Sequence, residues 1–94
     1  MQRPEHEILS LGEGAERVLS DDAFNVIFKE YSDQCLASIV GSQPHETKLR
    51  EFEYTKLQAL IGFSHHLASY VEAAHNIINK DKKIFVYRKV EDKV

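Results

Sequence analysis

Four residues, Gly41 to Pro44, separate two long amphipathic stretches of the sequence. Glycine commonly follows the last turn of a helix, and proline disfavours helical angles in the residue before it. A connection this short makes the helices on either side of it antiparallel neighbours. The sequence therefore predicts an all-α protein built on an antiparallel two-helix hairpin.

The first stretch predicts a helix over residues 20–41. Ser20 is a suitable N-cap, and Asp21 and Asp22 place negative charge in the first turn, where the helix dipole favours it. Apolar residues then recur at the three- and four-residue spacing of one helix face. They are Phe24, Ile27, Phe28, Tyr31, Cys35 and Ile39.

The second stretch predicts a longer helix over residues 44–79. Pro44 suits the first turn of a helix, and no further proline follows it in the sequence. One apolar seam repeats along this helix, and further apolar residues on both flanks widen it, which indicates contact with more than one neighbour. The seam consists of Leu57, Leu60, Ser64, Leu67, Val71, Ala74 and Ile78.

The two predicted helices differ in length. At about 1.5 Å per residue, the first spans roughly 30 Å and the second roughly 50 Å. Antiparallel pairing leaves the far half of the second helix, from Leu67 to Ile78, in need of a cover, because an apolar seam is unfavourable in water. Residues 8–19, where Gly12 and Gly14 predict a short irregular or helical segment, or a second protomer could supply it. We therefore predict an interaction surface at Leu67, Val71, Ala74 and Ile78.

After a polar break at residues 80–83, the sequence changes character. Residues 84–90 are rich in β-branched and aromatic side chains, which predicts an extended tail or a β-strand. The rest of the sequence offers no convincing second strand, so the alternatives are packing on the hairpin, as an extended or helical continuation, and pairing with another molecule. We add the apolar residues of this tail to the predicted interaction surface. They are Ile84, Phe85, Val86 and Tyr87.

No set of residues has the spacing of a catalytic or metal site. Adjacent helical histidines such as His65 and His66 point about 100° apart and cannot chelate one ion. Glu30 and Asp33 have the spacing of magnesium-binding helical pyrophosphatases, but the second helix has no matching acidic pair. Cys35 falls on the apolar stripe, which favours a packed thiol over a nucleophile. The sequence predicts a protein that is not an enzyme and has no cofactor and no metal.

Composition fits one soluble domain over residues 1–94, placed in the cytoplasm. The chain has a net charge of −3, one cysteine and no apolar run of the ~18 residues that a membrane span needs. The N-terminus does not have the pattern of a signal peptide. Basic residues are concentrated in residues 80–94, which leaves a small nucleic-acid-binding or regulatory protein as the alternative function. Acidic residues dilute this charge and make nucleic acid an unlikely partner.

The segment Leu49 to Leu60, together with Asp22-Ala23-Phe24 and the break from Gly41 to Pro44, resembles small helical-hairpin proteins encoded among the virion-assembly genes of tailed bacteriophages. The resemblance covers residues 20–78. It implies a virion-associated or assembly role, in the host cytoplasm or the virion, with no catalytic residues to carry over. The preferred interpretation is a non-enzymatic protein–protein interaction module that oligomerises or docks on larger proteins.

Overall fold

The computed structural model describes the backbone of residues 3–91 and the side chains of residues 3–80. It contains three helices, α1 (Glu5–Ser20), α2 (Asp22–Val40) and α3 (Thr47–Glu91). No strand occurs within residues 3–91. The all-α prediction is confirmed, and the architecture is a three-helix one in which both shorter helices pack against α3.

The hairpin of α2 and α3 is antiparallel, as contacts along its length show. Near the loop, Cys35 of α2 lies beside Glu53 of α3. One turn further from the loop, the Lys56 ammonium nitrogen is 5.6 Å from the centroid of the Tyr31 ring. Residue numbers thus rise along α3 as they fall along α2.

Arg50 holds the loop between α2 and α3 in place. Its guanidinium group donates hydrogen bonds to the carbonyl oxygens of Gln43 at 2.6 Å and Pro44 at 3.0 Å. It also donates to the hydroxyl oxygen of Ser42 at 3.1 Å. The Gln43 backbone N–H in turn donates to the Glu46 carboxylate at 2.8 Å. Loop carbonyls that no helix can satisfy therefore have a charged donor.

A single non-helical residue, Asp21, separates α1 from α2. Its side chain accepts a hydrogen bond from the Phe24 N–H at 2.7 Å, so Asp21 is the N-cap of α2 and the prediction of Ser20 is wrong. Ser20 is the last residue of α1 and donates its hydroxyl to the Glu16 carbonyl at 2.7 Å. The Asn25 side chain donates to the carbonyls of residues 19 and 21, which ties the two helices together.

Residues 8–19, predicted to form a short irregular or helical segment, lie within the regular sixteen-residue helix α1. A glycine costs a helix about 1 kcal/mol relative to alanine. Here Gly12 is buried against Tyr70 and Ala74 of α3, where a side chain has no room. The close packing of the α1 and α3 backbones at Gly12 offsets the helix stability that the glycine costs α1.

The middle of α3 packs within the chain, against α1. Ala74 is buried under Gly12, whereas Leu67 and Val71 are half-buried and Ile78 is exposed. Arg3 extends the contact, since its guanidinium carbon lies 5.3 Å from the centroid of the Tyr70 ring. The sequence left two possible covers for this surface, residues 8–19 and a second protomer. In the structure, residues 8–19 lie in α1, which packs against Ala74.

The extended or β tail predicted over residues 84–90 is not confirmed, because α3 continues through these residues to Glu91. A helix satisfies its backbone groups internally, whereas a lone strand leaves them unpaired, and β-propensity is too weak to outweigh that difference. The side chains of Ile84, Phe85, Val86 and Tyr87 lie outside the described residues. So do the basic side chains beyond Lys80 on which the nucleic-acid alternative depends.

The molecule is long and thin, with extents of 72 × 31 × 24 Å and a radius of gyration of 20.5 Å. A compact domain of this length would have a radius of gyration of about 12 Å. The accessible surface is 7764 Å², against roughly 5,500 Å² for a folded monomer of 10.8 kDa. Only three apolar residues within the described part are buried: Ala15, Cys35 and Ala74. None of the described helices has an apolar stretch that could cross a bilayer.

Candidate interaction surface

An open apolar groove of about 460 Å³ runs between α2 and α3. The α2 wall consists of four residues of the apolar stripe that the sequence predicts for this helix. Lining residues are Phe24, Ile27, Phe28, Tyr31, Lys56, Ala59, Leu60 and Phe63. The apolar stripe of α2 faces α3, but the two helices leave the groove between them open to solvent.

Several large apolar side chains at the groove remain in contact with water. Ile27 is 65% exposed and Phe63 is 54% exposed. Phe52, which is 61% exposed, does not line the groove but lies one turn before Lys56, whose ammonium is 5.1 Å from the Phe52 ring centroid and 5.6 Å from that of Tyr31. Large side chains exposed singly are common, but a cluster around one concave apolar surface is typical of a binding site.

The one charged residue that lines the groove is neutralised by a neighbour. The Lys56 ammonium lies 3.1 Å from the Glu53 carboxylate, and Glu53 is only 8% exposed. The hydrogen bond that the ammonium donates to this carboxylate raises the pKa of Lys56. The ammonium also lies against two aromatic rings, which attract a cation. The floor of the groove therefore carries an ion pair and no net charge.

The same carboxylate affects Cys35, which is almost completely buried. Burial raises the pKa of the Cys35 thiol, and the neighbouring Glu53 raises it further. A nucleophilic cysteine needs the opposite environment, in which a cation or a base stabilises the thiolate. Cys35 packs as a small apolar residue.

The other polar residues considered in the sequence are far from any common site. Asp33 accepts a hydrogen bond from the Lys29 ammonium at 2.6 Å on the exposed face of α2. The His66 ring packs edge-on against the Tyr70 ring, with centroids 5.0 Å apart. Within the part of the chain that the structure describes, no three His, Cys, Asp or Glu side chains are close enough to hold a metal ion.

The groove is not where the sequence placed the interaction surface. Of the four predicted residues on α3, Ala74 packs against α1, Leu67 and Val71 are half-buried and Ile78 is exposed, and none of them lines the groove. The periodicity of α2 identifies the residues of the groove wall but does not show that they stay open to solvent, because that depends on how closely α3 packs against them. The signal that could have identified the groove is the width of the apolar surface on α3, which indicates contact with more than one neighbour.

No protein-family model, no curated protein and no solved structure matches this chain. The groove is therefore interpreted from its own shape and chemistry.

Proposed function

We propose that the protein is a non-enzymatic protein–protein interaction module and that it binds through the groove between α2 and α3. The observation that carries the proposal is the group of exposed side chains Ile27, Phe52 and Phe63 around a groove with no net charge. The cores of protein interfaces are rich in aromatic residues and poor in charged ones. A helical partner can place one apolar face into such a groove.

The thin interior of the chain also supports association. Among the described residues, only Ala15, Cys35 and Ala74 are buried apolar residues, whereas many large apolar side chains, such as Ile27 and Phe63, remain exposed. Binding a partner at the groove would bury apolar surface that the three helices leave exposed.

We further propose that this module serves in the assembly or structure of a tailed-bacteriophage particle. The basis is the sequence resemblance over residues 20–78, a range that includes both walls of the groove. The setting would be the host cytoplasm or the virion. A binding module suits this role because particle assembly depends on contacts between protein surfaces.

Site-specific photo-crosslinking in the cells that produce the protein tests the interaction function. We expect a photoreactive amino acid in place of Ile27 to form a covalent adduct with a protein that mass spectrometry can identify. The same amino acid in place of Lys48, which is exposed and does not line the groove, is the matched control. Adducts that are absent at residue 27, or equally abundant at residue 48, would contradict the proposal.

A further inference from the structure

We infer that the occupant of the groove is the groove of a second copy of this chain, so that two α2–α3 hairpins pack face to face across a twofold axis. This inference rests on the proposed function, since it names the partner of the same surface. In such a dimer, each chain contributes two helices to a shared apolar core. The inference depends on the shape, the charge and the area of the groove.

The chain carries both the groove and a helix face that fits it. Helix-binding grooves accept apolar side chains spaced three, four and seven residues apart. Phe24, Ile27, Phe28 and Tyr31 have this spacing on α2 and form one wall of the groove. A twofold axis through the groove brings the α2 wall of each copy against the opening of the other. The same surface then supplies apolar side chains to the other copy and receives apolar side chains from it, as a symmetric dimer requires.

The charge distribution permits two identical surfaces to meet. A symmetric interface brings each charge near its own copy, and an unpaired charge would repel itself. In the groove, Lys56 is paired with Glu53 at 3.1 Å. On the exposed side of α2, Lys29 is paired with Asp33 at 2.6 Å. A strongly acidic or basic partner would find no unpaired counter-charge among the residues that line the groove.

The exposed area is of the order that a dimer needs. Large aromatic side chains bury about 150–250 Å² each. At their exposed fractions, Ile27, Tyr31, Phe52 and Phe63 together present roughly 400 Å². A standard interface takes about 800 Å² from each partner. Four side chains thus supply about half of that area, and the half-buried residues of the groove and its rim add to it.

The experiment is a measurement of molar mass by sedimentation equilibrium on the full chain. We expect the wild type to have twice the mass of the 10.8 kDa chain. The substitution Phe63→Glu places a charge in the middle of the interface, and we expect it to give a monomer that keeps its helical circular dichroism. Val40→Glu is the matched control, because Val40 is 84% exposed and does not line the groove. It should remain a dimer.

A second measurement applies if Phe63→Glu loses its helical structure. Isotope-labelled and unlabelled chains, each with a photoreactive residue in place of Ile27, are mixed and irradiated. Crosslinks between labelled and unlabelled chains should join residue 27 to α2 or α3 residues of the groove. A wild type that is monomeric at every concentration overturns the inference. So does a dimer that survives Phe63→Glu, or crosslinks that lie outside the groove.

The two proposals fail separately. A monomeric wild type whose residue 27 still crosslinks to a different, identified protein in cells removes the second copy as the occupant and leaves the interaction function standing. A monomeric wild type that gives no position-dependent adduct in cells removes both.

Discussion

Gly12 of α1 and Ala74 of α3 are so close that a methyl group on Gly12 would lie 2.4 Å from the Ala74 Cβ atom. The same methyl group would lie 2.8 Å from the Tyr70 carbonyl oxygen, which belongs to the backbone of α3 and cannot rotate away. This contact holds α1 against the part of α3 that α2 does not reach. The position of α1 therefore depends on the absence of a side chain at residue 12.

We expect Gly12→Ala to lower the free energy of unfolding by about 1–3 kcal/mol, because the helices must separate to admit the methyl group. Gly14→Ala is the control, since the nearest atom there is the flexible end of Arg17 at 3.8 Å. That substitution should raise stability by up to about 1 kcal/mol through helix propensity. Urea denaturation at one fixed protein concentration measures both. Equal effects of the two substitutions would contradict the packing argument.

We expect Arg50→Gln to destabilise the hairpin by about 1 kcal/mol, because the charged donor to two loop carbonyls is lost. Arg50→Lys should have an intermediate effect, since one ammonium cannot reproduce the fork of the guanidinium group. Lys48→Gln, an exposed change two residues away, serves as the control. Thermal denaturation followed by circular dichroism ranks the variants. A loss in Lys48→Gln as large as that in Arg50→Gln would mean that the loop contacts contribute nothing specific.

The environment of Cys35 predicts a dependence of stability on pH. The pKa of the thiol is raised above its ordinary value of 9.0 in the folded chain, first by burial and then by Glu53. The neutral thiol is therefore favoured by folding, and this stability is present below pH 9.0 and lost as pH rises through the folded pKa. We expect the urea midpoint to fall as the pH rises from 9.0 towards 10.5, the ordinary pKa of a lysine. Cys35→Ala should remove this part of the fall, and an unchanged profile would contradict the assignment.

The thiol also predicts a difference between two variants in the pH at which the thiolate forms. Glu53→Gln removes a carboxylate that raises the pKa of Cys35, so the thiolate of the folded chain should form at a lower pH. Glu51→Gln, which changes an exposed carboxylate on the same helix, is the matched control and should titrate like the wild type. Because the thiol is buried and a reagent would reach it only in an opened chain, the ultraviolet absorbance of the thiolate, followed against pH under native conditions, measures the difference. Equal titrations in the two variants would show that Glu53 does not act on the thiol.

We expect Asp21→Ala to destabilise the protein by about 1 kcal/mol, because the Phe24 N–H loses its acceptor at the start of α2. Asp21→Asn keeps an acceptor and should stay close to the wild type. Asp22→Ala removes only a favourable charge near the helix N-terminus and should cost a few tenths of a kcal/mol. Thermal denaturation followed by circular dichroism measures all three. An Asp22→Ala variant less stable than Asp21→Ala would place the cap elsewhere.

The hairpin could be predicted because its signals are local. Glycine at residue 41 marks the end of α2, and the predicted range 20–41 differs from Asp22–Val40 by only a residue or two. The start of the second helix, predicted at Pro44, is wrong by three residues, because α3 begins at Thr47 after a turn at residues 44 and 45. The N-cap was predicted one residue too early because serine and aspartate are equally good caps. The choice depends on α1, which extends to Ser20 and leaves Asp21 as the first free position.

The packing of α1 and the groove could not be predicted, because both depend on contacts between distant residues. The cost of Gly12 is visible in the sequence, but the gain from its approach to Ala74 is not. For the same reason, periodicity identified the apolar residues of α2 and α3 without showing which of them a third helix would cover. In the predicted surface from Leu67 to Ile78, Ala74 packs against α1, whereas the open groove is lined by residues from Phe24 to Phe63.

The described chain has only three buried apolar residues, and this affects which positions should tolerate substitution. In a globular domain, substitutions are tolerated at the surface and rejected in the interior. Here the interior offers few positions to protect, so selection for a working protein would act mainly on side chains that touch water. Under the proposed interaction through the groove, replacing Phe52 and Phe63 with lysine to improve solubility would be a poor design choice, since it would leave a folded chain without its binding surface.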